Sequence, residues 1–506
     1  MTAQIRLQLA QAAAAGSAED MVQAAAAALQ AGVFAEALSP LEAALRHHPS
    51  HPQLWHLLAL IRRNLAEHDG ALEAFNKAAK LAPGDAAIVH GLACETFEAG
   101  LPAVRLFERA MRLAPGDRSI LRRYAAALIA QGRRDEAIAA LDRETRRTPL
   151  WLEGQAALAR VRWLAGEREH FAQGFERAVK AVPRDPGLWR AYVQTLLHDG
   201  LYERALAVVA RARAAVGPDS AFDAAEAIAL TELGDLAGAE PLFARLAPLR
   251  EVTVIVAFLR FLLRAGRVPQ AAEIAARSAP NDPSFSIWPY AALAWRLLGD
   301  PRWEVLEGDP RFVGVYDIAD RLPPLDQLAE RLRGLHGMGH HPLYQSVRGG
   351  TQTEGHLFQR ADPLIRGLRQ AVVEAVEKHV AQLPQPRPGH PLLIAKRAPI
   401  GFAGSWSVRL AGGGHHVDHV HPSGWLSSAL YIALPEDPSQ GADEAGWLTL
   451  GQARDLAPAL GPIRTIEPKP GRLVLFPSTM WHGTRPFAAG ERLTVAFDVK
   501  RPAEGA

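Results

Sequence analysis

Residues 52–85 read PQLWHLLALIRRNLAEHDGALEAFNKAAKLAPGD. Trp55, Leu58 and Ala59 fall on one face of a first helix, and Ala71, Phe75 and Ala78, at spacings of four and three, fall on one face of a second. Pro83 closes the phrase because it has no amide to continue a helix, and Gly84-Asp85 supplies a turn and a cap for the next one. The phrase then recurs. Leu-Ala-Pro-Gly-Asp stands at 81–85 and again at 113–117, the second-helix half returns as Ala103, Phe107, Ala110 and Pro115, and later as Phe175, Ala178 and Pro183. Prolines at 49, 83, 115, 149, 183, 218, 248 and 280 are 34, 32, 34, 34, 35, 30 and 32 residues apart.

A period near 34 is that of tetratricopeptide arrays, and the positions above closely resemble the tetratricopeptide consensus. Small residues let paired helices approach, aromatic residues fill the space between pairs, and each pair buries its face only against its neighbours. About seven units are expected between roughly residues 35 and 282, after Ala-rich leading helices that act as a cap. Such an array offers a concave surface suited to an extended peptide or a protein partner. Cys94 occupies a helix position that calls for a small buried residue, so it carries no redox role.

The remaining composition narrows the classes. A chain of 506 residues is too long for one ordinary core, and 48% hydrophobic with 22% charged residues describes a globular protein. Lys plus Arg is 56 against 54 for Asp plus Glu, which leaves no basic field for nucleic acid or anionic lipid. A single cysteine, no leader-like apolar segment before Glu19 and Asp20, and no apolar run of roughly 18 residues predict a soluble cytoplasmic protein with no membrane partner.

The pattern changes near residue 300, where the proline-spaced repeat gives way to GDPRWEVLEGDPRF at 299–312. Two domains are expected, residues 1–300 as the helical array and residues 301–506 as a second domain. Eleven of the 19 histidines lie in the second, four of them (His415, His416, His419 and His421) within seven residues. One helix is predicted over about 362–383. Strands are predicted at 392–397, 404–410, 427–434, 446–450, 472–476 and 492–499, so an antiparallel sandwich or barrel with flanking helices follows.

Two phrases hold the chemistry. The first is GHHVDHVHP at 414–422, leading through Ser423-Gly424-Trp425 into the strand from Ser427. The second is FPSTMWHG at 476–483, followed by Arg492 and Thr494. With QSVRGGTQT at 345–353, they resemble bacterial members of the Fe(II)- and 2-oxoglutarate-dependent oxygenase superfamily. That resemblance implies a double-stranded β-helix (jelly-roll), Fe(II) and 2-oxoglutarate as cofactors, dioxygen as co-substrate, a His-x-Asp pair and a distant His as ligands, and a later Arg as oxoglutarate anchor.

The residues admit that reading by themselves. Side chains at i and i+2 of a strand point the same way, so His416 and Asp418 can chelate one ion, with His482 arriving from a strand remote in sequence. Oxoglutarate is a dianion, and Arg492 offers its far carboxylate a permanently charged fork with Thr494 on the same strand face. His419 and His421 form a second i, i+2 pair of opposite parity. Spacing to the next strand favours His416 and Asp418, so these with His482 are the expected ligands; some relatives look as if His-x-His-Pro is the recurring element, which keeps His419 and His421 as the alternative register. The histidines at 340 and 341 read as loop residues beside Pro342.

The expected function is hydroxylation of a peptide or protein substrate recruited by the array. The alternative is a non-catalytic interaction scaffold whose β-helix domain is degenerate or holds zinc, since histidine clusters bind zinc readily. Arg492 discriminates, because a structural zinc site has no use for an oxoglutarate anchor. A nucleotide-dependent transferase would need a Gly-rich phosphate loop between strand and helix; Gly412–Gly414 leads into a strand and reads as a turn.

Overall fold

The computed structural model describes residues 2–336, 346–435 and 444–502. His340 and His341 lie outside the described residues. Seven helix pairs carry the repeat: Pro52–Asn64 with His68–Leu81, Ala86–Glu98 with Val104–Leu113, Arg118–Ala130 with Arg134–Arg147, Leu152–Leu164 with Gln173–Ala181, Pro186–His198 with Tyr202–Val216, Ser220–Leu233 with Leu236–Leu246, and Val252–Arg264 with Val268–Ser278. Helices Thr2–Ala15, Ala18–Gln30 and Phe34–His47 precede them, and Trp288–Leu298 follows. The array is a helical tetratricopeptide solenoid, as its period predicts.

The local devices repeat with the sequence. Asp85, Asp117 and Asp185 each cap the following helix by accepting from its first backbone amides, a bond typically worth about 1 kcal/mol. Trp55 Nε1 donates to the Pro49 carbonyl at 2.8 Å, and Trp189 Nε1 donates to the Pro183 carbonyl at 2.8 Å, so the same bond spans the same six residues in two repeats. Phe75, Phe107 and Phe175 are completely buried. Gly91 leaves room for Phe75, because a Cβ there would come within 2.4 Å of the ring.

The chain forms two compact units, one of Met1–Leu141 with Phe358–Arg366 and the other of Asp142–Leu357 with Gly367–Ala503. The first has a core that includes Leu9, Met21, Leu41, Leu58 and Phe75. Within it the 358–366 segment is held by the Ala361 amide on the Ala99 carbonyl at 3.0 Å and by Arg366 on Asp69 at 2.7 Å.

The second unit joins later repeat helices to the sheets. One apolar core contains Leu259, Leu262, Tyr290 and Leu293 from the last helices together with Ala453, Leu456 and Trp481 from the sheet region. Trp481 stands edge-on to Tyr290, ring centroids 5.6 Å apart, and its Nε1 donates to the Pro289 carbonyl at 3.2 Å. Apolar packing therefore crosses residue 300.

Among the described residues, nine strands form two antiparallel sheets: β1 (Gly314–Asp317), β2 (Val347–Gln352), β3 (Phe402–His416), β4 (Leu426–Ala433), β5 (Leu448–Leu450), β6 (Arg464–Ile466), β7 (Arg472–Pro477), β8 (His482–Thr484) and β9 (Arg492–Val499). The larger runs β1-β7-β4-β9-β3-β2 and the smaller β6-β5-β8. Tyr431, Leu448, Leu450, Ile466, Val474 and Phe476 pack in one cluster that draws on both sheets, giving the expected β-helix sandwich. In the chain, helix Leu325–Arg333 lies between β1 and β2, and helix Pro363–Gln382 between β2 and β3.

Two expectations change in detail. Residues 392–397 form no strand, and their place in the larger sheet is taken by β1 and β2. Gly412–Gly414 is no turn: β3 runs through it to His416, with a register shift against β2 between Arg348 and Gly350. Glycine is required there, since a Cβ on Gly349, at φ 68°, would lie 2.9 Å from the Gly414 Cα.

Candidate metal centre and substrate cavity

Three imidazoles meet at the mouth of the sandwich. His419, His421 and His482 each offer one ring nitrogen, and these atoms lie within 4.8 Å of one another among the described residues. The backbone explains the meeting: after β3 ends at His416 the chain crosses to β8, where His419 and His482 exchange both amide bonds at 2.9 and 3.0 Å. His421 is fixed by its amide on the Ser478 carbonyl at 3.0 Å. Ring centroids are 4.1 Å apart for His419 and His482, and 4.9 Å for His419 and His421.

Each ring is oriented by an acceptor behind it. His419 Nδ1 lies 2.8 Å from the Val417 carbonyl, His482 Nδ1 3.0 Å from the Met480 carbonyl, and His421 Nδ1 3.0 Å from Asp498 Oδ2. With those protons on Nδ1, every Nε2 keeps its lone pair for an ion, which is how ligating histidines are usually set. Asp498 Oδ1 in turn accepts from Ser427 Oγ at 2.6 Å. Burial holds His419 and His482 well below the ordinary imidazole range, so both are neutral donors. Burial is the largest influence on His421 and acts to lower it, but the Asp498 charge and hydrogen bond together outweigh it and the net shift is upward. Trp406 stacks on His421 at 5.7 Å and Phe476 tilts against His482 at 4.7 Å, so aromatic surface walls the cluster.

The other register lies differently. Asp418 is bound by Arg454 through Nε and the backbone amide, both at 2.8 Å, and through Nη2 at 2.7 Å. A Cβ on Gly483 would fall 2.3 Å from Asp418 Oδ1, so this carboxylate occupies the side of β8 opposite to that from which His482 projects. His416 lines the same cavity as the three-histidine cluster, with its ring 5.9 Å from that of His419 and its Nδ1 2.8 Å from Ser346 Oγ. Burial, with the Arg492 charge nearby, pushes His416 down to about 3. The fold thus brings His482 together with His419 and His421, and leaves Asp418 with Arg454.

Arg492 and Thr494 point into the cavity from β9 and are 3% and 5% exposed. Arg492 Nη1 donates to the Gly446 carbonyl at 2.7 Å, and its guanidinium carbon lies 5.0 Å from the Tyr431 ring centroid. Its Nε and the Tyr431 hydroxyl are buried with no hydrogen-bond partner among the described residues. Burial lowers the Arg492 pKa, so an anion entering here would relieve an uncompensated charge. Orphaned donors of this kind fit the far carboxylate of a small dianion.

The cavity measures about 760 Å³, ample for oxoglutarate and a substrate side chain. Part of its wall comes from the repeats of the same unit: Trp163, His198 and Tyr202 from their helices, and Arg168 and Asp199 from the turns between them. Sequence reasoning missed Asp498, although 492, 494, 496 and 498 share one face of β9 and its parity pointed there. Asp199 and Trp163 carried no such signal, because only the tertiary fold brings repeat turns to the sheets.

Family models match the chain in both halves. Tetratricopeptide repeat models match residues 22–86, 103–161 and 172–221, and the family described as "Putative 2OG-Fe(II) oxygenase" matches residues 404–498. The chain carries tetratricopeptide repeats and a C-terminal domain of this oxygenase family. The match opens in β3 and closes at Asp498, so it contains the three clustered histidines and Arg492. Among solved structures the chain is similar to yeast Tom70, at 16% identity and TM-score 0.36, covering 54% of this chain and 61% of that one. It is also similar to a tetratricopeptide repeat protein of Parabacteroides merdae, at 17% identity and TM-score 0.32, covering 46% and 95%. The comparison with curated proteins returned no match. No helix among the described residues is long and apolar enough to cross a membrane.

Proposed function

We propose that the protein is an Fe(II)- and 2-oxoglutarate-dependent dioxygenase that hydroxylates a peptide or protein side chain recruited by its repeats. Residues 1–300 would serve as the recruiting array and residues 301–506 as the oxygenase domain. The observation that carries the reading is the cluster of three histidine ring nitrogens beside a buried arginine with an unpartnered Nε. In this reading His419, His421 and His482 hold the iron, and Arg492 with Thr494 holds oxoglutarate. Bound there, iron and oxoglutarate supply the activation of dioxygen that converts a substrate C–H to C–OH, while oxoglutarate leaves as succinate and carbon dioxide. The chain's own residues prepare that chemistry. Val417, Met480 and Asp498 keep the imidazole protons on Nδ1, Arg492 neutralises the co-substrate, and Trp406 and Phe476 exclude water from the cluster.

A three-histidine set without carboxylate differs from the His-x-Asp pair of the resemblance, and it is also a donor set that suits zinc. That observation favours a second reading, a zinc-holding scaffold. Anaerobic titration of the full chain with Fe(II) and then oxoglutarate separates the two. The dioxygenase reading expects a weak visible charge-transfer band on adding oxoglutarate, and succinate formation on admitting air. Tight zinc binding with neither signal would sink it and leave the scaffold.

A further inference from the structure

The helical wall of the cavity contains one residue that the repeat does not call for. Asp199 is the C-cap of Pro186–His198, just before Gly200 at φ 62°. A carboxylate there faces the negative end of the helix dipole. The residues before the corresponding positive-φ glycines are Ala99, Gln131, Ala165, Leu233 and Ala265, all uncharged. The Asp199 side chain is only 5% exposed, and its Oδ2 is buried without a hydrogen-bond partner among the described residues.

His198 and Arg160 act on its charge, but neither reaches Oδ2. His198 Nδ1 is 4.0 Å from Oδ1, and Arg160, whose charge acts on Asp199, is paired with Glu354 at 2.7 Å. Burial raises the Asp199 pKa, as expected of a carboxylate waiting for a counter-charge. The other charged residues at this wall are engaged: Arg168 lies over the Trp163 ring at 5.4 Å, and Arg348 Nη1 donates to the Val347 carbonyl at 3.0 Å. Local rules broken without internal compensation mark places where a protein meets something else.

We propose that Asp199 reads the substrate: the cavity takes a cationic side chain, a guanidinium or an ammonium, paired at Asp199 Oδ2, with Trp163 and Tyr202 as aromatic walls beside it. Aromatic faces and a desolvated carboxylate together suit a cation better than either does alone. The proposal rests on the oxygenase reading for what happens to that side chain, and on the cavity alone for its binding. It also gives the repeat helices a role in selecting the substrate at the reaction site.

The test is calorimetry on the full chain with Nα-acetyl-arginine methylamide and Nα-acetyl-lysine methylamide, against the neutral Nα-acetyl-norleucine methylamide. At least one cationic probe is expected to bind tenfold or more tighter than the norleucine probe. Asp199→Ala, which installs the residue found at 165 and 265, is expected to erase that preference while leaving Fe(II) affinity unchanged. Equal affinities, no binding of any probe, or a preference that survives Asp199→Ala would overturn the proposal. Cation preference in a protein that fails to bind iron would sink the oxygenase reading alone. Iron and oxoglutarate binding without cation preference would sink this one alone.

Discussion

The array and the sandwich keep their partners at different distances along the chain. In the array a bond such as Trp55 to Pro49 spans six residues, and each helix packs on the next. In the sandwich His421 meets Asp498 across 77 residues, Ser427 meets Asp498 across 71, and His416 meets Ser346 across 70. Order built from near neighbours leaves a period that a reader can count. Order built from strand pairing leaves only parity, and parity stops wherever a strand does.

Breaking the array should therefore be costly but local. Phe75→Ala empties a fully buried site in the first unit, and about 3–5 kcal/mol of stability should be lost by urea unfolding, with Fe(II) affinity unchanged. A change in iron affinity would show that the regions are less independent than their bonding suggests.

The junction between helices and sheets gives a pH test. Burial pushes the Glu307 carboxyl up to about 7 from 4.5, against the opposing charge of Arg296. Between those values the folded state holds a proton that the unfolded state has released, so stability falls as pH rises from 4.5 to 7, by about 3 kcal/mol. Glu307→Gln should flatten that slope in denaturant midpoints measured across the window. An unchanged slope would remove Glu307 as its source.

Within the sandwich the effects should sort by role. Arg492→Ala should weaken oxoglutarate binding about 100-fold by removing the charge that a buried carboxylate meets, while sparing iron. Unchanged oxoglutarate affinity would move the anchor elsewhere. Asp498→Asn, which removes the carboxylate charge behind His421, should cost about 10–100-fold in Fe(II) affinity. Full affinity in that variant would assign Asp498 to sheet stability alone.

The same contrast explains what the sequence disclosed. The helix pairs, their caps and the Phe75, Phe107 and Phe175 ladder follow from a period near 34 and from proline and aspartate chemistry. Strands β4, β7 and β9 were visible as alternating apolar runs, and the placing of Arg492 and Thr494 on one face followed from period two. The short β6 and β8, of three residues each, carry too little pattern to be read, and β2 with its paired glycines resembles a loop. Parity would set the two pairs on opposite faces of one regular strand, yet His416 lines the same cavity as His419 and His421, and only Asp418 turns away to Arg454. That depends on β3 ending at His416 and on the His419–His482 bridge, both set by strands far apart in the chain.

The central claim is that His419, His421 and His482 hold the metal. Fe(II) affinity of five single variants under anaerobic conditions tests it most directly. His419→Ala, His421→Ala and His482→Ala should each lose at least 100-fold, because one missing ligand removes both affinity and geometry, while His416→Ala and Asp418→Ala stay within about threefold of the parent. Metal lost at 416 and 418 and kept at 419 and 421 would contradict the account.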